Sequence, residues 1–426
     1  MFTHAEPTTA DVSTTQQDVR AYAWVVFALT VGLLLSDYMS RQVLNAVFPM
    51  LKAAWNLSDT RLGSLSSVVA LMVGVLTFPL SVLADRWGRV KSIFLMVLVW
   101  SGATLACALA RHYTDLFIAR SVVGLGEAAY GTAGVALLAT LFPARARSTV
   151  LGAFLAATVL GSVLGVMLGG FIADRWGWQA GFGIVAIPGI VLAFVLILVV
   201  REHKADADGG PGGHAAPRMS AREIATELMR PRTALHTCLG AGFNLLVVST
   251  MWAWLPSYLT RFYGLTPAQA GAKTALVVLL GGVGALACSV LADRLAIRNR
   301  NARLLVPAAA AILTTVLMCL AFGVLAPGPA QFALILVGGF AMAGSVGPTD
   351  AVVIDVVHPR LRATGASVLS LARNLFGLAG GPLLAGLLSD VYGLKIAMAV
   401  VPLFCVLAAA FFLRATRTYL KDVVGS

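Results

Sequence analysis

Leu83-Ala84-Asp85-Arg86 closes the second long apolar run of the chain, and Leu291-Ala292-Asp293-Arg294 closes the eighth. Each tetrad ends the second segment of a group of six, and a short basic loop follows both. A second match lies further on: Gly161, Gly165, Gly169 and Gly170 precede Ala173-Asp174, while Gly377, Gly380, Gly381 and Gly386 accompany Ser389-Asp390. Two matched pairs at equivalent places mark an internal repeat. The chain therefore reads as two copies of one six-segment unit.

The segments are long enough to cross a bilayer. Apolar residues make up 59% of the 426 positions and charged residues only 12%, a balance unsuited to a water-soluble domain of this size. Helices are expected over 22–48, 62–84, 91–111, 115–142, 146–173, 179–200, 233–262, 268–292, 303–324, 329–356, 361–389 and 394–414. Each can span the roughly 30 Å of hydrocarbon. Continuous rather than alternating apolar runs exclude a strand barrel. The expected fold is all-α: a tail over 1–21, a six-helix bundle over 22–200, a linker over 201–232, a pseudo-symmetric bundle over 233–414 and a tail over 415–426. The linker opens on Ala-Asp-Ala-Asp-Gly-Gly-Pro-Gly-Gly, a flexible composition, and 220–229 suits an amphipathic surface helix.

The net charge of +12 raises the question of nucleic acid, and the placement of the bases answers it. Of 31 Lys and Arg, one is in the N-terminal tail, three lie within spans, seven fall in one alternate set of ends and loops, and 20 in the other. That bias places the rich set, and both termini, in the cytoplasm. The excess charge reports topology and contact with anionic lipid headgroups. The polar first 20 residues lack the apolar core of a secretory signal. The five cysteines are scattered singly and read as packing residues, with no metal-ligand spacing.

Seven ionisable residues fall well inside expected spans: Asp37, Arg41, Arg120, Glu127, Asp350, Asp355 and Arg373. Facing lipid, each would cost about 2.5–3.5 kcal/mol on insertion scales, so each must find a partner or a wet cavity. Asp37 and Arg41 are four apart, Arg120 and Glu127 seven apart, and each pair shares a helical face. If the first and fourth helices adjoin, Arg41 meets Glu127. Burial disfavours the charged carboxylate and a nearby guanidinium favours it, so withdrawing Arg41 would protonate Glu127. The alternative is a permanently paired structural carboxylate. Arg120 is either a structural partner or an anchor for an anion. Asp350, after Pro348-Thr349, is a cavity acid or a helix-break stabiliser; Arg373 and Asn374 are cavity groups or interhelical bonds. Asp355, near a span end, is expected to pair with loop arginines. Trp254, near its helix end, reads as an interface anchor.

Ser81-Val-Leu-Ala-Asp-Arg-Trp-Gly-Arg-Val-Lys91 resembles the loop signature of the major facilitator superfamily, with Ser81 replacing its first glycine. The resemblance implies a transporter whose acid and following cations latch helices at the cytoplasmic side: Asp85, Arg86 and Arg89 in one half, Asp293 and Arg294 in the other. Arg120-Ser-Val-Val-Gly-Leu-Gly-Glu-Ala-Ala-Tyr-Gly-Thr-Ala133 resembles the fourth helix of the spinster family. Asp37-Tyr-Met-Ser-Arg41 and Val99-Trp-Ser-Gly-Ala-Thr104 are similar to its first and third helices. Ser40 stands where that family has Asp, and Asn374 and Leu378 where its animal members carry His and Asp. The resemblance implies Arg41 with Glu127 as the coupling pair, assisted by Asp37. It also implies a lysophospholipid or sphingoid phosphate as substrate.

The function expected is a proton-coupled carrier for an amphipathic anion, with protons the coupling ion and no cofactor. Substrate contacts are expected from Arg41, Arg120, Glu127, Asp350, Arg373 and Asn374. A carrier of a small organic anion or drug is the rival, and a non-transporting receptor the rival from another class. No Ser/His/Asp set, metal cluster or phosphate loop points to an enzyme. A monomer in a bacterial inner membrane completes the expectation, with membrane lipids and the substrate as partners and no nucleic acid.

Overall fold

A computed structural model describes residues 9–200, 231–358 and 361–424. Among them, twelve helices are long and apolar enough to span a membrane. They are α1 (Ala21–Trp55), α2 (Asp59–Ala84), α3 (Arg89–Ala108), α4 (Tyr113–Leu141), α5 (Arg145–Trp176), α6 (Trp178–Val199), α7 (Arg232–Tyr263), α8 (Pro267–Ala296), α9 (Ala302–Val324), α10 (Pro329–Val356), α11 (Thr364–Tyr392) and α12 (Leu394–Val423). The spans agree with those expected from hydropathy at most borders. The exceptions are α1, which runs on through Pro49 to Trp55, and α12, which continues beyond 414 to Val423. Both extensions carry charged residues that hydropathy assigns to loops. The expected amphipathic segment 220–229 lies outside the described residues.

Local chemistry sets the helix ends. Ser58 Oγ accepts the Arg61 N–H at 3.2 Å and starts α2. Thr266 and Gln269 form a reciprocal capping box at α8, with Pro267 in its first turn. Gly177 and Gly393 end α5 and α11 with φ of 84° and 85°, each amide donating to the carbonyl four residues back at 2.9 Å. These turns follow the matched Ala173-Asp174 and Ser389-Asp390, so the sequence repeat is also a repeat of backbone geometry.

Across the boundary between halves, α2 packs on α11, α5 on α8, and α1 on α7. We call the edge where α1 begins and α12 ends the terminal end, and the opposite edge the far end. A Cβ on Gly63 would strike the Pro382 carbonyl, and one on Gly386 the Asp59 carbonyl, so backbones touch near the far end. At mid-depth the atoms nearest a Cβ on Gly74 are side-chain atoms of Asn374 and Leu375, and those nearest one on Gly282 belong to the side chain of Val159. Gly152, towards the terminal end of α5, has nothing within 4 Å. The halves thus converge at the far end and part toward the terminal end.

The fourth helix of each half breaks at mid-length. α4 is interrupted between Glu127 and Tyr130, and α10 between Met342 and Val346. Irregular backbone at membrane depth survives only where freed carbonyls find donors. Thr77 Oγ1 supplies Ala128 O at 2.8 Å, and Asn244 Nδ2 supplies Met342 O at 2.9 Å. α11 carries a π-helical stretch over Arg373–Ala379.

Candidate substrate cleft and interdomain closure

The break in α4 holds Glu127 against α1. Arg41 Nη2 lies 2.9 Å from Glu127 Oε2, and Arg41 Nε lies 3.4 Å from Asp37 Oδ1. The Glu127 side chain is fully buried and Asp37 nearly so, whereas Arg41 keeps 18% of its side chain exposed. Gly126 lets α4 pack closely on α3, because a Cβ there would collide with the backbone of Trp100. Tyr130, edge-on to Trp100, donates from its hydroxyl to Thr30 O at 2.6 Å and ties α4 to α1 just past the break.

Arg120 lies two turns before Glu127 and is 1% exposed. Its Nε faces Leu65 O at 3.4 Å and its Nη1 faces Ser40 O at 3.5 Å. Both are long contacts, and Arg120 forms no ion pair with a described carboxylate. A buried guanidinium served only by backbone carbonyls retains a strong attraction for an anion.

Arg41 and Arg120 line a cleft between the halves together with Gln42, Asn45 and Ser66 from the first half. Ser249, Trp252, Leu378 and Pro382 face them from the second. Asp37, Arg41, Arg120 and Glu127 sum to zero charge with both acids ionised. Each proton taken up leaves one positive charge in a wall of low dielectric.

The other expected site residues lie elsewhere. Arg373 Nη1 is 2.7 Å from Asp350 Oδ1, and its Nη2 donates to Val346 O and Thr349 Oγ1 at 2.9 and 2.7 Å, joining α11 to α10. Asn374 Nδ2 donates to Ser370 O on its own helix at 2.9 Å. None of Asp350, Arg373 and Asn374 borders the cleft around Arg41. Asp355 meets Arg303 and Tyr419 at the terminal end. Asp293 pairs with Arg303 at 3.2 Å, Arg89 Nη1 reaches Ala136 O at 3.4 Å, and Arg294 is exposed. The side chains of Asp85 and Arg86 lie outside the described residues. Trp254 corrects its expectation: it is buried, against Phe48, with Nε1 donating to Pro382 O at 3.0 Å. Instead of anchoring at a lipid interface, it joins the two halves.

A further cluster closes the far end. Arg261 on α7 holds Asp59 on α2 through Nη1 to Oδ2 at 2.7 Å and Nη2 to Oδ1 at 2.8 Å. Lys52 and Ser389 also bond Asp59. Asp390 accepts the backbone N–H groups of Asp59 and Thr60 at 2.7 and 2.9 Å. In the sequence Lys52 and Arg261 count only as charges of span ends and loops. A signal for their meeting does exist there: Asp59 opens α2 and Arg261 nearly closes α7, which sets them at one edge.

Two six-helix bundles, closed at one end over a charged mid-depth cleft, define an integral multi-pass secondary transporter rather than an enzyme. The sequence profile of the Major Facilitator Superfamily matches residues 30–380 and 238–425, and the chain belongs to that superfamily. Within it the chain is similar to spinster proteins, among other carriers. It is 25% identical to the zebrafish (Danio rerio) sphingosine-1-phosphate transporter SPNS2, over 91% of this chain and 82% of that one. It is 28% identical to the gallate transporter of Pseudomonas putida, over 86% of each. The fold superposes on a bacterial homologue of the human lysosomal transporter spinster, in an inward-facing and unoccupied conformation, with a TM-score of 0.82. Identity there is 23%, over 94% of this chain and 98% of the other.

Proposed function

We propose that the protein carries an amphipathic anion, of the lysophospholipid or sphingoid phosphate kind, coupled to protons by alternating access. The supporting observation is Arg120: a buried guanidinium without a carboxylate partner among the described residues, beside the Arg41–Glu127 pair in a cleft between the halves. With Glu127 ionised, Arg41 is committed to it. Protonating the acid releases Arg41, and two guanidinium groups then face the cleft. Proton and anion therefore bind with positive coupling, and each raises the affinity for the other. Asp37, on the same face as Arg41, keeps that guanidinium oriented and shares the proton load.

By the bias of basic residues the terminal end is cytoplasmic, so the described state opens inward and the Asp59–Arg261 cluster shuts the outer side. In the reverse state, Asp85, Arg86 and Arg89 with Asp293 and Arg294 would close the cytoplasmic edge. A monomer in a bacterial inner membrane suffices for this cycle.

Similarity to the gallate transporter favours a second reading, a small carboxylate as cargo. Uptake into proteoliposomes with an inward or outward proton gradient tests both, using labelled lysophosphatidate and labelled gallate. Gradient-driven uptake of the lipid, abolished in Glu127→Gln, supports the first reading. Uptake of gallate alone supports the second, and no uptake of either removes both.

A further inference from the structure

Beside the charged groups the cleft has a neutral wall with a consistent direction. Ser66 Oγ donates to Asn45 Oδ1 at 2.7 Å, and Asn45 Nδ2 donates to Gln42 Oε1 at 2.8 Å. The relay consumes the acceptor of Gln42 and leaves its amide N–H groups without an acceptor among the described residues. Gln42 is 7% exposed and Asn45 6%, and both line the cleft with Arg41 and Arg120. Trp252 faces them from the second half, and its buried Nε1–H has no partner among the described residues either. An unpaired buried N–H such as the Trp252 indole is costly, and with the Gln42 amide edge open to the cleft beside it the wall is shaped for a ligand oxygen.

The guanidinium groups suit the anionic part of a ligand, and the amide and indole N–H groups suit an uncharged acceptor. We propose that Gln42, positioned by Asn45 and Ser66, forms with Trp252 a subsite for a neutral carbonyl or hydroxyl oxygen lying next to the anionic group of the substrate. This rests on the anion-carrier reading and adds a second recognition element to it. Because the two donors belong to opposite halves, one oxygen engages both only while the halves lie close at this depth. Recognition of that oxygen is thereby tied to occlusion.

The test measures binding to purified full-length protein in nanodiscs. Palmitoyl lysophosphatidate, which has an ester carbonyl and a hydroxyl, is compared with hexadecyl phosphate, which has neither; 4-hydroxybenzoate is compared with benzoate as the tail-free pair. Wild type should prefer the oxygen-bearing member of at least one pair by about tenfold, the scale of one buried hydrogen bond left unpaired. Gln42→Leu and Trp252→Phe should each reduce that ratio toward one. Ser66→Ala, which removes only the prop of the relay, should give a smaller loss. Equal affinity of wild type for both members of both pairs overturns the subsite, as does an unchanged ratio in both variants. Failure of wild type to bind any of the four probes overturns the anion reading beneath it.

Discussion

Arg261 grips Asp59 with both terminal guanidinium nitrogens, at 2.7 and 2.8 Å, and so joins the last turns of α7 to the first turn of α2 across the boundary between halves. The carboxylate is 3% exposed and the guanidinium 24%. Planar two-point pairing of this kind fixes orientation as well as distance. Removing one partner leaves the other poorly solvated, at a cost of about 3 kcal/mol for a pair at this depth. Asp59→Asn should therefore shift the protein toward a state open at the far end. Spin labels at Leu109 and Val391, exposed on the two halves at that edge, will report a longer-distance population. An unchanged distance distribution in both Asp59→Asn and Arg261→Gln would show that apolar packing alone keeps this end shut.

Gly63 offers the same test by shape. A side chain there meets the Pro382 carbonyl, which as backbone cannot yield easily. Gly63→Leu should wedge α2 from α11 and raise the far-end-open population without changing any charge. The same label pair reads it.

The coupling pair makes a prediction about protons. If an anion binds with proton uptake, binding strengthens as pH falls, and a weakly buffered sample turns more alkaline when anion is added. Glu127→Gln mimics the neutral acid. It should bind the anion at least as well as wild type, with a flatter pH dependence and proton uptake reduced toward zero. Arg41→Ala should lose both affinity and coupling. Calorimetry in buffers of different ionisation enthalpy counts the protons.

Arg120 separates binding from folding. Replacing a buried charge that lacks a carboxylate partner with an apolar side chain of similar length removes a desolvation cost and is expected to leave stability unchanged or raised. Arg120→Met should hold or raise the melting temperature while anion affinity falls more than about tenfold. A melting temperature that drops sharply would assign Arg120 to structure.

The repeat, the twelve spans and the superfamily signature were legible because hydropathy and short motifs are local properties of the chain. The Arg41–Glu127 meeting was legible for a related reason: an ionisable residue deep in an apolar run must find a partner, and few exist. The far-end cluster was not. Asp59, Arg261 and Asp390 sit near span ends, where charges are ordinary, and only the tertiary arrangement separates an interdomain latch from topological charge. Trp254 failed for the same cause, since proximity to a helix end does not say whether lipid or protein lies beside it. Gln42, Asn45 and Ser66 are polar without being charged, and their alignment into one relay depends on how α1 meets α2.

Asp390 accepts the first two amides of α2, although it belongs to α11 in the other half. α2 thus begins on a foreign acceptor, with its own Ser58 hydroxyl serving the amide of Arg61 and the Ser58 carbonyl that of Leu62. When the halves separate at that edge the carboxylate departs with α11, and water must take over two N–H groups at the positive pole of a helix. The opening motion is consequently written into the order of a single helical turn, and hydrogen exchange at Asp59 and Thr60 would follow the transport cycle without any label.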